Sequence, residues 1–413
     1  IAIIRSANPA KDFAKAAANF FGAQPHHICA VTGTNGKTSI ADFIRQILTM
    51  MGYKAASSGT LGLIKGNEAP IPSPNTTPVS VTIQRELKEL ADEGYDWLAM
   101  EASSHGLCQY RLGGVSVEVA GFTNLTRDHL DYHKTMENYL EAKLILFREN
   151  LIEGGTAVLN ADIPEYDIIA KVCKDSNKRV VSYGHAGKEL KLISATPLAH
   201  GQKLDIEYFG EKMSIEIPLA GEFQAMNVLC ALGMAAELTD LPQEVIKYVG
   251  KIHGAKGRLE LVGQTPNGAA VYIDYAHTPD ALENVIRALR PHAAGKLRVL
   301  FGCGGDRDAG KRPIMGKIAN DLADVVYITD DNPRTEDAAK IRDQIMAACP
   351  KGQNIPDRGT AIKTAIADLQ AGDILILAGK GHETGQYVNG KVIPFSDHAE
   401  AGKALASCCS GTL

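Results

Sequence analysis

No apolar run in this 413-residue chain approaches the roughly 20 residues that a membrane-crossing helix needs. The net charge is only −5, so bulk electrostatics make no case for nucleic-acid or membrane-surface binding. Eight cysteines are scattered, and none forms the Cys-x-x-Cys pair of a zinc site; Cys408 and Cys409 are merely adjacent. In a long chain of ordinary cytosolic composition they are expected to be buried free thiols. There is no internal repeat and no low-complexity tract. The opening Ile1-Ala-Ile-Ile-Arg5-Ser-Ala-Asn-Pro9 has no initiator Met and no signal-peptide pattern, and reads as the middle of a longer chain. The chain is therefore expected to be a fragment.

What is present is ordinary α/β material. Hydrophobic residues make up 45% and charged residues 22%, and the length calls for two or three domains. After a helical segment over residues 10–24, strands and helices alternate from Ile28 onward. The spacing predicts strands at Ile28–Val31, Asp96–Glu101, Val117–Phe122 and Thr156–Leu159, with a helix over Met136–Asn150. Residues 178–219 change to short strands with turn signals, as expected of a small antiparallel insert, and a helix follows over Glu222–Leu238. A Gly-rich break at Ile252-His-Gly-Ala-Lys-Gly257 precedes a second alternating series, with strands at Ala270–Tyr275, Leu297–Gly302, Val325–Thr329 and Ile374–Ala378. The fold class is α/β with two mostly parallel sheets, and active residues are expected at the C-terminal ends of strands.

The stretch Ala30-Val-Thr-Gly33-Thr-Asn-Gly36-Lys-Thr-Ser39 organises the rest. A short buried strand runs into two glycines, then Lys37 and Thr38, then a helix apolar at Ile40, Phe43, Ile44, Ile47, Leu48 and Met51. Glycines let backbone N–H groups face an anion, and the helix N-terminus adds the positive end of its dipole. Lys37 is placed to reach terminal phosphates and the Thr38 hydroxyl to sit on Mg²⁺. Only Thr34 and Asn35 separate Gly33 from Gly36, two residues fewer than in the usual phosphate loop. The alternative is an ordinary strand–helix turn that contains a lysine.

Other strand ends carry chemistry. Glu101 is a natural Mg²⁺ ligand partnering Thr38, or else a turn cap. Asp128-His-Leu-Asp-Tyr-His133 places four metal-competent side chains in six residues, of which one or two are expected to touch a metal; the plainer reading is a polar turn. Lys143 lies beside the apolar face of its helix, either snorkelling or with a lowered pKa that opens it to CO₂. In the second half, Arg307 and Arg334 are planar forks suited to carboxylate, and Asp331 suits an ammonium. Gly379-Lys-Gly-His-Glu383 closes the last strand. Strand ends that carry both signs suit a zwitterion such as an amino acid; singly, each reads as a solvated loop.

At this point the chain resembles the Mur ligase family. The matching runs are Thr32-Gly-Thr-Asn-Gly-Lys-Thr38, Glu101-Ala-Ser-Ser-His105, Asn124-Leu-Thr-Arg-Asp-His129 and Tyr139-x-x-Ala-Lys143. Gly257-Arg258-x-Glu260, Asp274-Tyr-Ala-His277-Thr-Pro279 and Gly304-Gly-Asp-Arg307 through Lys311-Arg-Pro313 follow. Asp331-Asn-Pro-Arg334 and Gly379-Lys-Gly-His-Glu383 complete the series, in family order from about residue 28 to 400. The short phosphate loop is the family's own form. The resemblance implies a remnant of a uridine-binding domain at 1–25, a central ATP-binding domain at 26–256 and a C-terminal Rossmann-like domain at 257–413 that brings the amino acid. With most of the first domain missing, the uridine moiety is expected to bind poorly.

Carried over by position, the resemblance implies that Gly33, Thr34, Asn35, Gly36, Lys37 and Thr38 hold the triphosphate of ATP. Asn227, Arg258, Asp274 and His277 complete the nucleotide site. Thr38 and Glu101 hold one Mg²⁺, and His129 with a carbamylated Lys143 a second; Lys37, Lys143 and His129 are the catalytic set. Asn75, Thr76, Thr77, Ser103, Gln109 and Arg111 contact a UDP-muramoyl-dipeptide. Arg307, Asp331, Asn332, Pro333, Arg334, Gly379 and Glu383 hold the incoming amino acid, expected to be meso-diaminopimelate because Arg334 supplies a fork for its distal carboxylate. The expected protein is a cytoplasmic, monomeric ligase of small molecules with no nucleic-acid or membrane partner. Its rivals are a folylpolyglutamate-synthase activity and a non-catalytic nucleotide-binding module.

Overall fold

The computed structural model describes residues 5–198 and 201–410. Residues 1–4 and the side chains of Asp131 and Cys409 lie outside the described residues. The chain divides into two compact units. One runs through Thr196 and takes in Lys203–Pro218 and Phe223–Ile252; the other comprises Pro197–Gln202, Leu219–Glu222 and the chain from His253.

Ten strands lie wholly or mostly in the first unit: β1 (His27–Thr32), β2 (Ala55–Gly59), β3 (Gly62–Lys65), β4 (Trp97–Glu101), β5 (Val117–Phe122), β6 (Leu151–Asn160), β7 (Arg179–Gly184), β8 (Leu190–Leu198), β9 (Gly201–Tyr208) and β10 (Glu211–Ile217). They form one sheet in the order β10-β9-β8-β7-β6-β5-β1-β4-β2-β3. The stretch expected as a small insert therefore continues the main sheet. Its strand β7 pairs with β8 in parallel through Tyr183 and Leu190. Phe209 and Gly210, both at positive φ, make the tight link between β9 and β10. The central strand β1 lies parallel to both β4 and β5. The helix expected to run to Asn150 ends at Ile145 and passes into a wider π-helical turn, Leu146–Asn150. Here the Asn150 amide donates to the Leu112 carbonyl at 2.7 Å. The helix Pro9–Phe21 starts with Pro at its first position and the Asn8 side chain capping Lys11 N.

The second unit holds β11 (Glu260–Gln264), β12 (Ala270–Asp274), β13 (Leu297–Phe301), β14 (Val325–Ile328), β15 (Gly352–Asn354) and β16 (Ile374–Ala378), in the order β11-β12-β16-β13-β14-β15. A separate hairpin pairs β17 (Gly385–Val388) with β18 (Lys391–Pro394). Residues of one strand alternate between two cores: Ala270 and Tyr272 pack into one, Val271 and Ile273 into the other. A sheet covered on both faces demands such continuous apolar runs. Among the described residues no helix is long and apolar enough to cross a membrane.

Arg358 and Asp397 form a fully buried pair (Nη2–Oδ2 2.6 Å) that joins the first turns of helices Arg358–Ala367 and Asp397–Ser410. The same Nη2 reaches the Ala378 carbonyl at 3.0 Å, at the end of β16. Removing one member of a buried pair strands the other charge. Arg358→Met is expected to destabilise the protein by about 3–5 kcal/mol in urea unfolding, and the double variant Arg358→Met/Asp397→Leu by much less. Equal losses in the two variants would count against this.

Candidate active site

β1 delivers its last residues into a turn that only glycine can make. Gly33 has φ 141° and Gly36 φ 91°. A Cβ on Gly33 would lie 1.8 Å from Thr123 Oγ1, and one on Gly36 2.4 Å from Asn227 Oδ1. Asn227 is thereby seated on the loop, oriented through its Nδ2 donation to Gln224 Oε1 at 3.0 Å. The loop is braced from β5: Thr34 N donates to Asn124 O and Asn35 N to Asn124 Oδ1, both at 2.9 Å. Thr123 Oγ1 in turn donates to Asn35 O at 2.6 Å. Those two loop amides are thus engaged within the protein. The helix Lys37–Met50 begins at Gly36 with no side-chain cap, so its N-terminus presents amides and the positive dipole end to an anion.

Two lysines converge on one carbonyl. Lys37 Nζ donates to Gly33 O at 3.0 Å and to Thr34 O at 2.8 Å. Lys143 Nζ reaches the same Gly33 O at 2.8 Å. Lys143 is 1% exposed, and its Nζ lies 4.2 Å from the Tyr139 ring centre. Burial, then the charge of Lys37, holds its pKa well below the usual lysine range. The neutral amine thus favoured is the form that adds CO₂.

Glu101 ends β4 opposite Val31 of β1. It is buried; Oε1 accepts Thr60 N at 2.7 Å and Oε2 accepts Thr60 Oγ1 at 3.2 Å. His129 stands at φ 53° with its side chain about half exposed, its ring packed edge-on against His105 at 4.8 Å. His105 also packs on Tyr132 and His133, and His133 Nε2 lies 3.0 Å from Ser104 Oγ. Among the described residues no group of three or more His, Cys, Asp or Glu is arranged to hold a metal ion. The residues expected to hold Mg²⁺, Glu101 and Thr38, offer hard oxygens, few in number. That suits a cation that keeps phosphate oxygens and waters in its shell. As an amine Lys143 is no ligand; as a carbamate it would be one.

Around Glu101 the expected dipeptide contacts fall together. Thr77 Oγ1 donates to Glu101 O and accepts from Ser103 N, both at 3.0 Å. Arg111 Nη1 donates to Thr77 O at 2.7 Å, and its Nε and Nη2 hold Gln109 Oε1. Thr76 Oγ1 lies 3.0 Å from Thr60 Oγ1, and Asn75 O accepts from Ser73 Oγ at 2.9 Å. The Ser103 hydroxyl caps Gly106 N at 3.1 Å.

In the second unit Asp274 ends β12, buried, with Oδ2 accepting Leu259 N at 2.6 Å and Oδ1 accepting Ala276 N at 2.7 Å. Burial pushes its pKa up to about 6, against the pull of Arg258 and the two amides. Arg258 lies over the Tyr275 ring at 4.8 Å, and His277 packs on that ring at 4.7 Å. Arg258, Asp274 and His277 are thus assembled around Tyr275. The amino-acid set gathers at the ends of β14 and β16. Asn332 Nδ2 donates to Glu383 Oε2 at 2.9 Å, and Asp331 Oδ1 accepts Asn332 N at 2.7 Å. Arg334, at φ 53°, donates through Nη1 to Gly305 O at 2.8 Å. Its acidic neighbours are engaged elsewhere: Glu336 pairs with buried Arg312 at 2.9 Å, and Asp337 caps Ala339 N. Arg307 stays at the surface and donates to the Asp306 carbonyl; no bond joins it to the others. Thr60, Tyr275 and the β17–β18 hairpin escaped the sequence reading. Thr60 follows an unremarked Ser-Ser-Gly run, whereas Tyr275 lies inside the quoted Asp-Tyr-Ala-His motif and was readable there.

A phosphate loop at the end of a central parallel strand, with a second α/β unit whose strand ends hold both charge signs, defines a nucleotide-dependent enzyme of the α/β class. The chain belongs to the Mur ligase family: the family's middle domain matches residues 31–235 and its glutamate ligase domain residues 257–381. Over 410 residues the chain is 48% identical to the UDP-N-acetylmuramoyl-L-alanyl-D-glutamate--2,6-diaminopimelate ligase of Caulobacter vibrioides, covering 98% of this chain and 84% of that protein. It is 49% identical over 391 residues to the enzyme of the same name from Agrobacterium fabrum, covering 95% and 80%. A solved structure of an enzyme with that name superposes with a TM-score of 0.74 at 34% identity, covering 98% of this chain and 84% of that one. The folylpolyglutamate synthase of Mycobacterium tuberculosis complexed with ADP shares the fold, with a TM-score of 0.73 at 19% identity over 90% of this chain and 92% of that one.

His382 lies beside Tyr275 and is pulled down to about 4, by burial first and then by Arg258 and Lys256. The two groups load stability in opposite directions. A raised carboxylate favours the folded state at low pH, and that gain is lost as pH rises through about 6. A lowered histidine contributes above its ordinary value, and that contribution is lost as pH falls through about 4. Comparing wild type with Asp274→Asn isolates the first. The wild type's stability relative to the variant is expected to fall by on the order of 2–3 kcal/mol between about pH 4 and 7. Urea unfolding across that range measures it, and a flat or rising difference refutes it.

Proposed function

We propose that this chain is an ATP-dependent amide ligase that adds meso-diaminopimelate to UDP-N-acetylmuramoyl-L-alanyl-D-glutamate in the cytoplasm, acting as a monomer on small molecules. Residues 1–25 lead into an ATP-binding part, 26–256, and an amino-acid-binding part, 257–413. The observation that carries the substrate choice is Arg334. Its fork donates to Gly305 O, at the end of a neighbouring strand, while the acids next to it in sequence are bound elsewhere. Diaminopimelate differs from lysine by one distal carboxylate, and only that carboxylate needs the fork. The names of the relatives agree.

A carboxylate is a poor acyl donor, so the glutamyl carboxylate first attacks the ATP γ-phosphate and becomes an acyl phosphate as the bond to the β,γ-bridging oxygen breaks and ADP leaves. The uncapped helix at Gly36 and Lys37 receive the triphosphate and take up the charge that builds during transfer. Mg²⁺, held by Thr38 and Glu101, would supply further charge neutralisation there. Thr76, Thr77, Ser103, Gln109 and Arg111, with Asn75, orient the dipeptide. Asn227, Arg258, Asp274 and His277 serve the nucleotide. Asp331 and Glu383 hold ammonium groups, and Arg307 and Arg334 carboxylates, with Asn332, Pro333 and Gly379 shaping the turn. The amine then attacks the acyl carbon and phosphate leaves. Lys143, as its carbamate, and His129 would hold a second cation.

ADP release is expected to require both dipeptide substrate and amino acid, with diaminopimelate clearly preferred over L-lysine. Arg334→Ala is expected to raise the diaminopimelate KM about ten- to a hundredfold, the worth of a charge-assisted pair of about 1.5–3 kcal/mol. A preference for lysine, or an unchanged KM, overturns the assignment. Lys143→Ala is expected to abolish ligation, and mass analysis to find a carbamate on the wild-type residue; near-wild-type turnover in the variant rules that role out.

A further inference from the structure

Lys380 lies in the turn after β16, completely buried. Its Nζ carries three hydrogens, and three acceptors surround it: Gly385 O at 2.8 Å, Asn332 Oδ1 at 2.9 Å and Glu383 Oε2 at 3.4 Å. Burying a lysine is costly, and an apolar side chain of similar volume would fill the space at less cost. What the lysine adds is geometry. Asn332 Oδ1 also accepts Tyr387 N at 3.0 Å, while its Nδ2 faces Glu383. The amide is therefore held in one orientation, with its oxygen toward donors and its nitrogen toward the carboxylate. Tyr387 O accepts Arg334 N at 2.9 Å, and Asn389 N donates to Arg334 O at 2.7 Å. The hairpin thus grips both sides of a residue that stands at φ 53°. From one buried nitrogen, bonds run directly to Glu383, and through Asn332 and Tyr387 to the backbone of Arg334.

We propose that Lys380 is the positioning residue that sets the two oppositely charged ends of the amino-acid pocket, Glu383 and Arg334, at a fixed separation, so that preference for an amino acid with a distal carboxylate depends on a lysine that never touches it. This rests on the ligase reading above and deepens it. A lysine that only filled space would affect all substrates alike. A positioning lysine affects the amino acid alone, and lowers discrimination between two amino acids that differ at the far end.

The test compares wild type with Lys380→Met in steady-state ADP release, with diaminopimelate and with L-lysine. Lys380→Met is expected to raise the diaminopimelate KM by about tenfold or more and to narrow its advantage over lysine, with the ATP KM within about twofold of wild type. Lys380→Gln keeps a donor for Asn332 and is expected to fall between the two. If wild type shows no diaminopimelate-dependent turnover, the ligase reading fails and this inference with it. If wild type turns over and the folded Met or Gln variant keeps the wild-type KM and preference, only the inference is overturned. A parallel rise in the ATP KM also overturns it. So does loss of fold in both variants, since the lysine would then serve the whole unit rather than the pocket.

Discussion

The parallel register of β1 between β4 and β5 is the constraint on which the first unit's chemistry depends. Val31 pairs with Glu101 on one side and with Gly121 on the other. Parallel strands bring their C-terminal ends to the same edge, so one edge receives the glycine turn from β1, a carboxylate from β4 and the Thr123-Asn124 brace from β5. The brace closes the loop through three short bonds between neighbouring strand ends. A slip of one residue would turn Glu101 to the opposite face and separate these groups.

That edge is electrostatically tense. Lys37 and Lys143 both point at the Gly33 carbonyl, one partly exposed and one buried, and the charge of Lys37 disfavours that of Lys143. An anion at the helix N-terminus relieves Lys37, and conversion of Lys143 to an anionic carbamate would remove the conflict altogether. In the second unit the problem is solved differently. Lys380 meets Glu383 directly at 3.4 Å, Asn332 bridges the same two groups, and the hairpin backbone carries Arg334.

Much of the strand inventory was legible because buried parallel strands are apolar on both faces and short: Val117–Phe122 and Ile374–Ala378 stand where the pattern places them. The glycine turn after β1 was legible for a related reason, since few sequences outside a phosphate loop put Gly, Gly, Lys and Thr between a strand and a helix. The hairpin β17–β18 was not. Its strands are largely exposed, with Tyr387, Val392 and Ile393 at the surface, so no alternation marks them. The short β15 was equally silent, with no more than half-buried Gly352 and two exposed residues. The helix expected to run to Asn150 widens in its last turn, where Asn150 bonds to the distant Leu112 carbonyl, a contact no local pattern announces.

By itself, then, the sequence determined the local quantities: which segments are strands, where the chain turns on glycine, and which acids, bases and forks stand at strand ends. Those follow from nearest-neighbour sterics and from the period of apolar residues, which need no partner to be read. Only the tertiary structure decided how the groups are wired. It placed Lys143 and Lys37 on one carbonyl 110 residues from the former, gave Glu101 to Thr60, and paired Glu336 with Arg312 rather than with Arg334. It also buried Lys380 beneath a hairpin that the pattern does not show. Such pairings depend on sheet register and on competition among acceptors far apart in sequence, and neither is written in any single stretch of the chain.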